Sequence, residues 1–431
     1  MKKALLIMAF AAQALCGSTV YARDNMDLIR ADYYFTHLAF YKAIPYYEKL
    51  AENGGTAYLY ARLGDCYRLT GDIAKAEEYY RKVIEMKKVT DPLRLKYGKV
   101  LMQLQQYDSA SRWLKEFAAN NPRDRRAVNL VEGCRIAPGM LRSPNRGTPA
   151  LLDVNTDRSE FGPTFWNGNL VFASDTAIGV HKRQSAWSGN SCYNIYAVPC
   201  DGSGNCGTEA VTLGAAGKVN IEWHNGPATF NATGDTMYFT RTRYNEKFFS
   251  RGAVPNKDSV VVLEMMMATE YDDATHKFTK VKPMAFNRQS HSVAHPTISA
   301  DGSTMIFSST ASGNGSDMYM SHRNKKGKWM KPVNLGPNVN TEGEEVFPYL
   351  VNDTTLIFAS DGHAGLGGLD IFISHWDREK SVFLPPVNMG APVNSSYDDI
   401  SMALSAEGSG YFSSNRPAAF ASDNIYYYRK D

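Results

Sequence analysis

Between Gly162 and Asn415 one strand–turn–strand phrase is written five times: GPTFWNGNLVFASD, GPATFNATGDTMYFTRT, AHPTISADGSTMIFSST, FPYLVNDTTLIFASD and SMALSAEGSGYFSSN. Each copy alternates apolar and polar residues, breaks at a tight polar turn such as Ala300-Asp301-Gly302, and resumes with a run centred on Phe. Most copies continue into a third strand (YNIYAVP, SDMYMSH, LDIFISH, DNIYYYR). A fourth often ends in Val-Asn (AAGKVN, KPVNLGPNVN, PPVNMGAPVN). Five copies of about 53 to 67 residues, four strands each, are the arithmetic of a β-propeller. A propeller must also join its last blade to its first. The fifth copy has no Val-Asn strand of its own, whereas PALLDVN (Pro149–Asn155) stands orphaned ahead of the first. We therefore expect residues 149–155 to pair as the outer strand of the last blade, which protects both sheet edges at the seam. On this reading VNTDRSEFGPTF (Val154–Phe165) and VNTEGEEVFPYL (Val339–Leu350) are the same passage from one blade to the next.

Upstream the apolar period is helical. Ala43, Ala76 and Ala110 hold the same place in YKAIPYYEKL, AKAEEYYRKV and DSASRWLKEF, 33 and 34 residues apart, which is the tetratricopeptide period. A first helix precedes each Ala, with Gly64 and Gly98 where the two helices of a repeat approach closely. Tyr47, Tyr80 and Leu114 fill the seam one turn after each Ala. RDRRAVNLVEGCR reads as a capping helix, and IAPGMLRSPNRGTP, rich in Pro, Gly and Arg, as a linker. The expected fold is thus multidomain, α plus all-β: an N-terminal tetratricopeptide (TPR) α-solenoid followed by a five-bladed β-propeller. Residues 24–136 form the helical domain with its cap, 137–148 the linker and 149–431 the propeller.

The N-terminus is a targeting segment. Lys2 and Lys3 precede the apolar ALLIMAFAAQAL, and Val20-Tyr21-Ala22 offers a cleavage site, so residues 1–22 read as a signal peptide. Cys16 raises a lipoprotein alternative, but Gln13-Ala14-Leu15 fits that box poorly. Five other cysteines would then meet an oxidising compartment. Cys200 and Cys206 flank the turn DGSGN and suit a hairpin-closing disulfide, for which Cys192 could compete. Cys66 and Cys134 lie in helical patterns as buried apolar residues.

The phrases SADGSTMIFSS, FASDGHAGLGGLDIFIS and WMKPVNLGPNVNT resemble the TolB-like, WD-repeat-like propeller repeats of Bacteroidetes envelope proteins. The order of signal peptide, TPR repeats and propeller resembles the front of the OmpA-family, PorE-type proteins of that group. The resemblance implies a periplasmic place, association with the outer membrane, and envelope or type IX secretion-machine proteins as partners. The C-terminal OmpA-like domain of that family has no counterpart here, so the resemblance does not extend to peptidoglycan binding.

Candidate chemistry is sparse. The Gly-rich DGHAGLGGLD (Asp361–Asp370) is followed by a strand-like run rather than a helix, so it reads as glycines at positive φ in a blade hairpin, not a phosphate cradle. Asp301, Asp317, Asp361 and Asp370 read as turn caps rather than Ca²⁺ ligands. His291 and His295 read as loop residues. No G-x-S-x-G elbow or H-E-x-x-H occurs, and Cys192, Cys200 and Cys206 lack the pairing of a zinc site. With 47 basic and 44 acidic residues the net charge is +3, which gives nucleic-acid binding no support. No apolar run after the N-terminus is long enough to span a membrane. The reading is therefore non-enzymatic, without catalytic residues, cofactor or metal: an exported adaptor for protein partners. Arg62, Arg68, Lys96 and Lys99 would line a TPR groove that takes an acidic segment. The alternative is a receptor for a small ligand or glycan in the propeller funnel.

Overall fold

The structure, a computed structural model, describes residues 26–52, 54–145, 147–176, 184–214, 218–243, 262–272, 277–313, 315–405, 408–418 and 423–430. The signal segment, with Cys16, lies outside them. Seven helices come first: α1 (residues 26–36), α2 (Phe40–Ala51), α3 (Ala57–Leu69), α4 (Ile73–Glu85), α5 (Asp91–Gln103), α6 (Tyr107–Asn120) and α7 (Arg125–Arg142). Among the described residues, no helix is long and apolar enough to cross a membrane. The chain forms two compact units. One runs to Val100 and takes in Gln184–Asn190; the other comprises Leu101–Arg183 and Ser191–Asp431. The helical domain expected to reach residue 136 is thereby divided, with α6 and α7 belonging to the propeller's unit.

In the first unit Ala43 and Ala76 are fully buried, as are Tyr47 and Tyr80. A Cβ on Gly64 would lie 2.4 Å from the Tyr80 ring, so only glycine lets α3 and α4 approach this closely. Side-chain caps start both helices: Thr56 Oγ1 accepts from Leu59 N–H at 3.3 Å and Asp72 from Lys75 N–H at 3.1 Å. The 184–190 segment packs here through Trp187, edge-on to Phe40 with ring centres 4.7 Å apart. Its indole N–H donates to the Leu69 carbonyl at 3.0 Å.

The second unit is a ring of five antiparallel sheets. Blade 1 is β2 (Glu160–Trp166), β3 (Asn169–Ser174), β4 (Asn194–Pro199) and β5 (Val211–Thr212). Blade 2 is β6 (Asn225–Phe230), β7 (Thr236–Thr242), β8 (Leu263–Asp272) and β9 (Lys277–Pro283). Blade 3 is β10 (Val293–Ile298), β11 (Thr304–Ser309), β12 (Asp317–His322) and β13 (Val333–Asn334). Blade 4 is β14 (Glu345–Asn352), β15 (Thr355–Ser360), β16 (Asp370–Asp377), β17 (Val382–Phe383) and β18 (Val387–Asn388). Blade 5 is β19 (Asp399–Leu404), β20 (Gly410–Ser414) and β21 (Asn424–Arg429), completed by β1 (Thr148–Leu151), which pairs antiparallel with β21 from Thr148↔Arg429 to Leu151↔Tyr426. Blade 1's fourth strand is Val211–Thr212; the Val219-Asn220 expected to end it lies in the following loop.

An apolar core fills each blade-to-blade contact. At the seam, Leu152 and Val154 join Leu170, Phe172 and Tyr196 of blade 1 with Tyr411 and Ile425 of blade 5. At each blade boundary one Asn, preceded by Val in four cases and by Phe286 in the case of Asn287, packs against the third strand of the blade just completed. Asn340 Oδ1 accepts from Met318 N–H at 2.8 Å while its Nδ2 donates to the Met318 carbonyl at 3.1 Å. Asn155, Asn220, Asn287 and Asn394 bracket Ile425, Ile195, Met265 and Ile371 in the same way. A second device follows in three blades: Glu160 and Glu345 accept from the backbone and hydroxyl of Thr156 and Thr341, and Asp399 from those of Ser395. The repeated phrase is thus a backbone clamp followed by a loop lock.

Helices α6 and α7 lie on the end of the ring that carries the loops from second to third strands and from blade to blade. Tyr107 Oη donates to the Leu366 carbonyl at 2.8 Å, Asn129 Nδ2 to the Gly362 carbonyl at 2.8 Å and Arg125 to the Pro337 carbonyl at 3.2 Å. This corrects the reading of the Gly-rich loop. Gly362, Gly365, Gly367 and Gly368 do not adopt positive φ. They are needed for close approach: a Cβ on Gly367 would lie 1.9 Å from the Ser396 carbonyl oxygen, and one on Gly133 of α7 2.7 Å from that of Gly365. The segment read as a linker from residue 137 is also corrected. It stays helical to Arg142 despite Pro138, because Ala137 is fully buried. Beyond it Asn145 is held by the Ala391 and Met389 carbonyls, at 2.6 and 2.7 Å.

Candidate interaction surfaces

The innermost strands converge on the ring axis, where propellers with open funnels take small ligands. All five carry a register shift at the same place. The shifted residues Gly162, Gly226, His295, Phe347 and Ser401 all have left-handed backbone, with φ of 72°, 106°, 52°, 52° and 57°. Three of them are not glycine, a conformation that costs about 1–3 kcal/mol each and persists only where the surroundings dictate it. The result is a filled axis. The His295 ring stacks on Phe347 with centres 4.0 Å apart, the His295 backbone N–H donates to Thr240 Oγ1 at 2.8 Å, and burial holds the imidazole down at about 3, neutral at physiological pH. The remaining cavity is ≈ 40 Å³, room for a few waters and well short of the ~300–1,000 Å³ of ligand pockets. His295 is therefore a packing residue of the axis.

In the helical unit the expected groove residues fall into two polar relays, one repeat apart. Asp32 accepts from both Tyr47 Oη and Tyr58 Oη at 2.6 Å, and Arg62 Nε donates to Tyr58 Oη at 3.1 Å with its guanidinium 4.2 Å above the Phe35 ring. Asp65 accepts from Tyr80 Oη at 2.6 Å and is held bidentately by Lys96 at 2.8 and 2.9 Å. Arg68 lies beside the Tyr80 hydroxyl. Burial first, then the neighbouring carboxylate, pushes the Tyr47 and Tyr80 phenols upward, so both remain protonated donors. Arg62 and Lys96 are thus already matched to Asp32 and Asp65, giving a mixed polar and aromatic surface with Tyr58 43% exposed. Lys99 stands one repeat after Asp65, where the acid of the relay is replaced by a base.

The other end of the ring, away from α6 and α7, carries the turns between first and second and between third and fourth strands. In blade 1 the third-to-fourth turn is closed by Cys200 and Cys206, joined as a disulfide, while Cys66 and Cys134 are buried free thiols and Cys192 is buried. Burial pushes the Cys66 and Cys134 thiols up to about 12, which leaves them unreactive. The turn aspartates are engaged within the fold: Asp301 caps Ser303 N–H at 2.9 Å, Asp361 accepts from Glu344 N–H at 2.9 Å, Asp370 from Leu366 N–H at 2.7 Å, and Asp317 from Asn334 at 2.9 Å. The blade 3 turn is a functional candidate that sequence reasoning passed over. RNKKGKWMK (Arg323–Lys331) holds five cations and no carboxylate, a local density that a net charge of +3 conceals.

The tetratricopeptide repeat family model matches residues 57–90, which span α3 and α4. No curated protein matches the chain. Among solved structures it is similar to TolB from Acinetobacter baumannii, at 13% identity and a TM-score of 0.31, over 54% of this chain and 48% of that one. An endo-arabinase from Bacteroides thetaiotaomicron is 12% identical, with a TM-score of 0.40, over 66% of this chain and 97% of that one. An α-L-arabinofuranosidase from Podospora anserina is 11% identical, with a TM-score of 0.37, over 66% and 97%. The chain thus spans about half the length of the TolB that it matches. This is a TPR-plus-propeller protein. Likenesses of that strength carry no argument about activity.

Proposed function

We propose that this protein is a non-enzymatic scaffold of the cell envelope, exported to the periplasm and holding protein partners through its helical and propeller surfaces. The observation that carries the reading is the filled axis. His295, Phe347 and the adjoining bulges leave room for only a few waters where a propeller receptor or enzyme would seat its ligand. A TPR surface of tyrosines and matched charges suits a peptide or a partner helix. Export is supported by the signal-like N-terminus and by the Cys200–Cys206 disulfide, a bond of oxidising compartments. The resemblance of the strand phrases points to envelope or type IX secretion-machine proteins as the partners.

Affinity purification with crosslinking from envelope extracts, run beside a thermal-shift screen of sugars and muropeptides, tests this reading. The scaffold predicts a discrete protein partner and no saccharide that raises the melting temperature. A saccharide that stabilises the protein, with no partner recovered, would contradict it.

A further inference from the structure

Three blades have a described turn between their third strand and the chain that follows it, and all three use one device. The first turn residue caps backbone N–H groups within the turn: Asp201 accepts from Ser203 and Asn205, Asn324 from Lys326 and Lys328, and Asp377 from Glu379 and Lys380. Blades 1 and 4 place a carboxylate there, and in blade 4 it also pairs with Lys380 at 3.4 Å. Blade 3 substitutes the neutral Asn324 and surrounds it with Lys325, Lys326, Lys328 and Lys331. All four are exposed, and among the described residues their side chains have no hydrogen-bond or ion-pair partner. Shielding an edge strand does not require them, since the edges of blades 1 and 4 are equally short and lack such a cluster.

The display is rigid. Asn324 and Gly327 (φ 73°) set the turn, Trp329 packs 6.0 Å from Phe286, and Arg323 lies over Trp329 at 4.6 Å while donating to Tyr238 of blade 2 at 2.7 Å. That contact seats the hairpin against blade 2, whose outer strand β9 adds the exposed Lys277 and Lys282. On the first-to-second-strand turns of blades 2 and 3, Asp235 accepts from Asn231 and Thr236, and Asp301 from Ser299 and Ser303. Met330 and Val333 stand 52% and 65% exposed beside the lysines.

We propose that this end of blades 2 and 3 docks on an anionic bilayer surface. Lys325, Lys326, Lys328 and Lys331 are spread along an exposed turn. They are point charges rather than arginine forks, and two apolar side chains lie among them. That combination suits a diffuse layer of acidic headgroups bordering hydrocarbon. The proposal is independent of the scaffold reading, because partner capture and vesicle binding can fail separately.

The test is co-sedimentation of the full chain with phosphatidylcholine vesicles, with and without phosphatidylglycerol. Binding should need phosphatidylglycerol and weaken as salt shortens the screening length. The triple variant Lys325→Glu, Lys326→Glu, Lys328→Glu should lose at least about 100-fold in affinity with an unchanged melting temperature. The corresponding Lys→Gln triple should lose less. A charge-matched control on the helices, Lys87→Glu, Lys88→Glu, Lys115→Glu, should bind as the wild type. No binding to acidic vesicles would overturn the proposal, as would equal loss in both Glu triples. Displacement by inorganic phosphate beyond that of chloride at equal ionic strength would also overturn it, by revealing a discrete anion site.

Discussion

Asn340 brackets Met318: its carboxamide accepts from the Met318 N–H at 2.8 Å and donates to the Met318 carbonyl at 3.1 Å, both groups buried. The same bracket stands at all five blade boundaries, so each blade is tied to the loop that starts the next. Replacing Asn340 with Ala strands two buried backbone groups, at a cost of about 1–3 kcal/mol for each left unsatisfied. Urea unfolding should show a loss of a few kcal/mol. The half-buried Asn338→Ala, which gives up one bond to the Phe383 carbonyl, should cost under about 1.5 kcal/mol.

Two glycines separate close approach from simple flexibility. Gly367→Ala drives a methyl into the Ser396 carbonyl and should destabilise the propeller unit by about 1–3 kcal/mol. Gly139→Ala, in α7 with nothing within 4 Å of the added Cβ, should stabilise by about 0.5–1 kcal/mol. Opposite shifts in thermal melting of the two variants are the expected result.

Glu345 gives a pH dependence of definite sign. Burial pushes its carboxyl up to about 7, against the pull of three donors from Thr341 and Ser360. The unfolded value is about 4.3, so the folded state holds the extra proton between the two values. Stability from this group therefore falls as pH rises through that window, at up to ~1.4 kcal/mol per pH unit. His295, held neutral by burial at about 3, works in the opposite direction below its unfolded value of about 6.5. The difference between wild type and Glu345→Gln isolates the carboxylate: the wild type should lose stability relative to the variant on going from about pH 5 to about pH 8.

The ring seam makes a stronger demand. Removing Pro149–Asn155 deletes most of β1, the Leu152 and Val154 contribution to the blade 5–blade 1 core, and the Asn155 bracket on Ile425. The whole propeller should melt earlier, because the lost contacts hold the first and last blades together. Circular dichroism melting that matches the full chain would refute closure by this segment.

The blade pattern was legible because strand alternation and turn residues are local, and five copies reinforce one another. Val-Asn marked the boundaries, but the job of the Asn required seeing Met318 or Ile425 against it. The TPR period runs evenly through Ala110, so nothing local told α6 apart from α4. Its place with the propeller rests on long-range contacts such as Tyr107 with Leu366. Glycines in DGHAGLGGLD announced missing side chains without saying whether conformation or proximity demanded them. Pro138 and Gly139 looked like a linker because burial of Ala137 overrides weak helix propensity. Arg62, Arg68, Lys96 and Lys99 read as a basic groove because Asp32 and Asp65, distant in sequence, were not yet beside two of them. The lysines of the blade 3 turn were in plain view, averaged away by a near-neutral total.

The central claim is that this protein works by holding partners at its surfaces rather than by taking a ligand at its axis. A photocrosslinking amino acid at Tyr58, on the exposed TPR surface, tests it most directly in cells. The account predicts a discrete protein adduct at Tyr58 and none when the same probe replaces Tyr411, which is buried at the seam. An absence of adducts at Tyr58, together with a sugar or metabolite that raises the melting temperature of the wild type but not of His295→Ala, would contradict it.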